Sequence, residues 1–126
     1  MLGDANVTAT IAVKDIEQAK KFYGDTLGLK LDKESPGGVS YTSGATKLFV
    51  YPSQYAGTNQ ATSASWTVQD VESVVQSLKG KGVPFEQYDN LPGVTRNGDI
   101  HVMGQLKAAW FKDPDGNILA LDNGME

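Results

Sequence analysis

The sequence predicts an α+β fold in which one strand-helix-strands module is used twice, and three observations predict it. Val13-Lys14-Asp15-Ile16-Glu17 recurs as Val68-Gln69-Asp70-Val71-Glu72, and each block joins an alternating run to an amphipathic one. A glycine follows each amphipathic run and opens another alternating stretch, Gly28-Leu29-Lys30-Leu31 in the first half and Gly82-Val83-Pro84-Phe85 in the second. Each half then closes on a glycine and an apolar strand, residues 44–50 and 116–121. A unit this small buries too little surface to stand alone, so it is expected to pair with its copy and leave a cleft.

Residues 7–13 alternate and are rich in Thr, Val and Ile, as a half-buried strand requires. Asp15 is then an N-cap, answered by Gln18, for a helix whose apolar stripe is Ile16, Ala19, Phe22 or Tyr23, and Leu27; Gly28 ends it. Strands follow at 29–33, 39–43 and 47–51, separated by Ser35-Pro36-Gly37-Gly38 and a turn at Gly44. Residues 53–60 form a short linker between module 1 (5–52) and module 2 (61–124) of a single domain spanning 1–126. The order then restarts: strand 62–68, a helix capped by Asp70 with Val71, Val74, Val75 and Leu78 inside, and strands at 83–88, 106–111 and 118–122. Asp113-Pro114-Asp115-Gly116 makes the turn between the last two. Module 2 also carries a longer excursion, 90–103, whose Leu91-Pro92-Gly93 and Asn97-Gly98-Asp99 mark it as partly loop, able to border a ligand site.

With 40% hydrophobic and 21% charged residues, the 126-residue chain has the composition of one ordinary globular domain. A net charge of -4 without basic runs argues against nucleic acid. The absence of cysteine removes thiol nucleophiles, thiolate metal sites and disulfides together. No signal peptide or 18-residue apolar stretch is visible, so no membrane is expected and the default expectation is a cytoplasmic protein.

The Val-x-Asp helix ending in Phe22-Tyr23-x-x-x-Leu27-Gly28-Leu29, together with Trp110-Phe111-Lys112-Asp113-Pro114-Asp115-Gly116-Asn117 and its apolar strand, resembles the vicinal oxygen chelate superfamily. That family includes glyoxalase I, extradiol dioxygenases, fosfomycin resistance enzymes and bleomycin-binding proteins. The resemblance runs nearly the whole chain in module order. It implies two tandem βαβββ modules forming a curled mixed sheet cup with helices outside, the glyoxalase-like fold.

In the family's enzymes the cup holds a divalent metal on His, Gln or Glu, one near the start of each module's first strand and one in its last. Counting from the Val-x-Asp and Asp-Gly landmarks, those positions fall on Thr8, Leu48, Ser63 and Ala120. Among the neighbours two residues away, Thr10, Val50, Ser65, Ile118 and Asp122, only Asp122 carries a ligating carboxylate. A catalytic divalent site normally needs about three protein ligands, so neither a metal nor another cofactor is expected.

Strand parity then describes the cup. With Thr8 and Ser63 inward, Thr10, Ala12, Ser65 and Thr67 are inward too, whereas Ile11, Val13, Trp66 and Val68 face the helices and Trp66 is core. Leu48, Val50, Ile118 and Ala120 are expected to add apolar wall, with Trp110 over the ligand and Phe111 beneath the sheet. His101, the single histidine, is either a base or ligand contact at the rim or a histidine bonded to backbone or water; no identifiable partner favours the second. Tyr41, Tyr51, Tyr55 and Tyr88 are candidate stackers, and Arg96 and Lys107 candidate anion contacts, although structural and surface roles are more usual for both types.

The expected ligand contacts are therefore Thr8, Thr10, Leu48, Val50, Ser63, Ser65, His101, Trp110 and Ala120. They suit a metal-free protein that sequesters a small, partly hydrophobic or aromatic molecule. The alternatives are a glyoxalase- or dioxygenase-type enzyme with an atypical metal site, or one acting through His101, Asp122 or a tyrosine, and an interaction module with a closed cavity. Since members of the family commonly dimerise, a homodimer completing each cup is also expected.

Overall fold

Asp15 and Asp70 start the two main helices in the same way in the computed structural model, which describes residues 1–124. Asp15 Oδ1 accepts the backbone N–H groups of Glu17 and Gln18 at 3.0 and 3.2 Å, and Asp70 Oδ1 accepts that of Ser73 at 3.1 Å. Each cap satisfies amide donors that the first turn leaves without partners. Module 1 comprises β1 (Ala9–Val13), α1 (Ile16–Lys20), β2 (Lys30–Ser35), β3 (Gly38–Ser43) and β4 (Thr46–Pro52). After α1 the backbone widens into π-helical turns over Lys21–Thr26, which carry Phe22 and Tyr23. Module 2 comprises β5 (Thr62–Thr67), α2 (Val71–Gly80), β6 (Phe85–Glu86), β7 (Thr95–Asn97), β8 (Ile100–Met103), β9 (Leu106–Lys112) and β10 (Ile118–Asp122).

Each module forms its own sheet. The first is ordered β1-β4-β3-β2 and the second β5-β10-β9-β8-β7, with β6 pairing the far end of β9. In both, the first and last strands of the module run parallel, β1 beside β4 and β5 beside β10. The edge strands β1 and β5 lie side by side, so the two sheets make one curled, unclosed surface. Among the described residues no helix is long and apolar enough to cross a membrane.

The expected excursion at 90–103 is more ordered than a loop. Its second half is a β7–β8 hairpin, Thr95 opposite Val102 and Asn97 opposite Ile100, which extends the second sheet. Asn97-Gly98 turns it, Gly98 having φ +63, where a Cβ would be strained. The strand expected at 83–88 shrinks to two residues, because β8 already occupies the first half of that edge of β9.

Sheet parity separates two faces. Ile11, Val13, Val39, Tyr41, Leu48 and Val50 from module 1, with Ala109, Phe111, Leu119 and Leu121 from module 2, join Tyr23, Val71, Val75 and Leu78 in one core on the helix side. Burying a side chain such as Ile11 or Phe111 is worth roughly 1.5–3 kcal/mol. Trp66 belongs there as expected, its ring stacked 6.4 Å from Phe111 and its Nε1–H donating to Ser43 Oγ at 2.9 Å.

The two modules are joined by polar contacts at one turn. Asp113, buried at the end of β9, accepts the Tyr23 hydroxyl at 2.8 Å, Asn117 Nδ2 at 2.8 Å, and the backbone N–H groups of Asp115 and Asn117 at 3.0 and 2.8 Å. Asn117 also donates Nδ2–H to the Ala12 carbonyl at 2.7 Å and accepts the Gly57 N–H at 3.2 Å, while Asp115 accepts the Lys14 N–H at 3.2 Å.

Replacing Asn117→Ala removes side-chain bonds to β1, the linker and Asp113 together. It is expected to cost on the order of 2–4 kcal/mol, read as a lower midpoint in urea unfolding. Tyr23 adds a pH dependence. Burial, and then the adjacent Asp113 carboxylate, push its hydroxyl well above the ordinary tyrosine range. A group whose acidity is weakened on folding contributes stability that is complete below its unfolded value, about pH 10, and is lost as the pH rises further. Wild type should therefore lose stability faster than Tyr23→Phe above about pH 10, by up to ~1.4 kcal/mol per pH unit; parallel alkaline denaturation curves would contradict this.

Candidate functional site

The face away from the helices is the concave one, and its residues follow from pairing register. On β1 and β4, Thr10 is level with Phe49, so Thr10 and Phe49 share that face while the Ile11–Val50 pair lies on the other. On β5, β10 and β9 the corresponding row is Ser65, Ala120 and Trp110. The centre of the cup is thus lined by Thr8, Thr10, Ser65 and Thr67, small hydroxyl side chains, as strand parity predicts. Aromatic residues flank them on both sides.

Two hollows open on this face. The larger, about 610 Å³, lies on module 2 and is walled by Trp110, Tyr88, Leu91 and Ile118, with Thr62 and linker residues along one side. Trp110 Nε1–H donates to Thr62 Oγ1 at 3.1 Å, which fixes the indole, and Tyr88 meets it edge to face at 5.4 Å. Lys112 and Glu86 pair at 3.3 Å on its margin. The smaller hollow, about 470 Å³, lies on module 1 among Thr8, Thr10, Ser40, Lys47 and Phe49. There Lys47 pairs with Asp32 at 3.0 Å and holds that carboxyl below its usual range. Tyr51 stacks on Phe49 at 6.2 Å.

Two expected wall residues face the other way. Leu48 and Val50 are 3% and 1% exposed in the helix-side core. Counting from the Gly44 landmark misplaces them because the turn before β4 differs from that before β10; the register of β4 against β1 makes Phe49 the counterpart of Ala120. Ser63 is displaced as well. The ladder to β10 skips it, Ile118 pairing with Thr62 and Leu119 with Ala64, and this bulge lets Thr62 reach Trp110.

The remaining candidates divide by location. Trp110 and Ile118 border the larger hollow and Thr8 and Thr10 the smaller, while Ala120 lies between Ser65 and Trp110 in the sheet register. Asp122 accepts the Thr67 hydroxyl at 3.1 Å and the Gly124 N–H at 2.9 Å. Tyr41 is core and Tyr55 is exposed in the linker. Arg96 is engaged by Asp89 at 2.7 Å and the Gly98 carbonyl at 2.7 Å, and Lys107 pairs with Glu72 at 2.7 Å on the helix side. The concave cations are instead Lys47 and Lys112, which sequence parity of β4 and β9 pointed to once the register was known.

His101 is buried at 2% exposure on the concave side of β8, opposite Ala108. Its ring lies 4.8 Å from Trp110 and 5.7 Å from Tyr88, and Nε2 accepts the Tyr88 backbone N–H at 2.9 Å. Of the two expectations for this histidine, the structure shows the backbone-bonded one, with His101 in β8.

The donor set does not fit a divalent metal. At the four positions the family uses, the chain offers the hydroxyls of Thr8 and Ser63 and the apolar side chains of Phe49 and Ala120. Among the described residues no three His, Cys, Asp or Glu side chains converge.

Paired βαβββ modules, parallel first and last strands, and a helix-free concave face define a glyoxalase-like protein. The chain belongs to the Glyoxalase/Bleomycin resistance protein/Dioxygenase superfamily, whose model matches residues 6–121. Its fold is similar to that of the glyoxalase family protein from Enterococcus faecalis, with TM-score 0.73 and 20% identity over 97% of this chain and 99% of that one. It is also similar to lactoylglutathione lyase from Agrobacterium tumefaciens, with TM-score 0.68 and 18% identity over 94% and 92% of the two chains. The putative glyoxalase family protein from Bacillus anthracis gives TM-score 0.65 and 17% identity over 91% and 90%. At such identities these structures bear on fold alone. No curated protein sequence matches the chain significantly.

Proposed function

We propose that the protein binds a small, partly hydrophobic or aromatic molecule in its concave face, without a metal. The observation that carries this reading is the open module 2 hollow, lined by a fixed indole, Tyr88, Leu91 and Ile118, whose volume of about 610 Å³ is within the usual 300–1,000 Å³ range of small-molecule sites. An aromatic wall with a few hydroxyls provides apolar area to bury and bonds that orient a planar guest. The four family positions supply neither the charge nor the number of donors that metal-assisted chemistry needs. A homodimer would add surface to the same face, and the side-by-side edge strands leave the outer margins of the cup free for it.

The test begins with elemental analysis of protein purified without chelator, together with thermal melts in added nickel, zinc, manganese or iron(II). No stoichiometric metal and no ion-induced shift are expected, because tight binding to the folded state raises the melting temperature. Planar hydrophobic compounds would then be screened against Trp66→Phe, which leaves Trp110 as the sole indole. Binders should perturb its emission, and Trp110→Ala should weaken them about tenfold or more. One tightly held metal per chain, or binding indifferent to Trp110, would sink the proposal.

A further inference from the structure

We infer that His101 is a positioning residue that latches the Tyr88 wall of the module 2 hollow, and that protonation of its ring releases the latch. A backbone amide only donates, so the bond from Tyr88 N–H requires a lone pair on His101 Nε2. The proton of the neutral ring therefore resides on Nδ1, which is buried with no hydrogen-bond partner among the described residues. Adding a second proton turns Nε2 into a donor aimed at another donor. Both N–H groups would then be buried without an acceptor, a cost that contact of the cation with the Trp110 and Tyr88 rings offsets only in part.

The surroundings offer little to absorb that charge. From β7, Arg96 stands opposite His101 in register, and Asp89, next along the chain from Tyr88, is held by Arg96 through two bonds of 2.7 and 3.3 Å. Lys112 and Glu86, from β9 and β6, neutralise each other, as do Lys79 and Asp99 behind the hairpin. Relief comes from letting the 88–94 segment move. That segment is pinned near its start by the Tyr88 bond, and its Leu91 and Tyr88 are hollow-lining residues. Protonating the ring would therefore open the wall and the neutral ring holds it closed, so that a guest held by the closed wall is released. The consequence for a guest rests on the proposed ligand site; the latch does not.

The experiment needs no ligand, and the single histidine gives one imidazole signal. At about pH 7.5 the ring 15N shifts of wild type should report the proton on Nδ1 and a lone pair on Nε2. Hydrogen-exchange protection of the Tyr88 amide, corrected for intrinsic pH dependence, should fall roughly tenfold or more by about pH 5 while the β1–β4 amides keep theirs. In His101→Gln the amide oxygen accepts from Tyr88 without titrating, so protection should persist at both pH values. His101→Phe should lack it at both. A proton on Nε2 at neutral pH, an unchanged Tyr88 amide in wild type, or an equal loss in His101→Gln would each overturn the inference, whether or not any compound binds the hollow.

Discussion

The buried Asp113 carboxylate is the constraint on which the arrangement of the two modules depends. Apolar contacts between the modules are plentiful, yet they are non-directional and tolerate sliding. Asp113 is different because its acceptor sites are all assigned, to Tyr23 in module 1 and to the Asn117 side chain and two amides of its own turn. Asn117 passes the constraint on to Ala12 in β1 and Gly57 in the linker. A buried carboxylate is tolerable only when so completely bonded. Displacement of one sheet against the other would leave it without partners, and this selects one relative placement of β1 and β5 and hence one shape of cup.

Much of this was legible in the residues. The repeat, the aspartate caps and the Asp-Pro-Asp-Gly-Asn turn are local signals with local physical causes, and each lies where the sequence places it. Alternation assigned Ile11, Val13, Trp66 and Phe111 to the helix side and Thr10 and Ser65 to the cup. What was not legible depends on pairing between distant strands. Leu48 and Phe49 are both apolar, so alternation within β4 does not say which of them faces inward; only its register against β1 does. A one-residue slip reverses every side chain on a strand. The same limit hid the β7–β8 hairpin, whose residues Thr95-Arg96-Asn97 carry no apolar alternation and pair because β8 extends an existing sheet. The Tyr88–His101 bond was hidden more deeply, being between a backbone amide and a side chain brought together by that hairpin.

Phe49, level with Thr10 on the concave face, bears on what the cup can hold. A leucine at the family position in module 1's last strand would be merely inert, whereas Phe49 stacked on Tyr51 puts an aromatic pair at a position where a ligating carboxylate would be needed. Restoring a metal site would require changing several positions and moving an aromatic pair. The central strands permit openness for a separate reason: with the apolar demand of β1 and β5 met by Ile11, Val13 and Trp66 on the helix face, their other face is free to carry Thr and Ser.

The two halves of the cup have diverged unequally, and the difference lies outside the repeated elements. Module 1 ends its sheet on β2, an exposed edge rich in Lys, Asp and Glu, as an unpaired edge requires. Module 2 spends its extra residues on the hairpin, which covers that position and brings His101 up behind Trp110 and Tyr88. The same insertion thus protects a sheet edge and encloses a titratable ring beside the larger hollow. A hairpin needed for edge protection alone would be served by any apolar side chain at position 101. A histidine there, with one nitrogen committed to a backbone amide and the other without a partner, makes the wall of the hollow depend on a proton, which an apolar residue would not do.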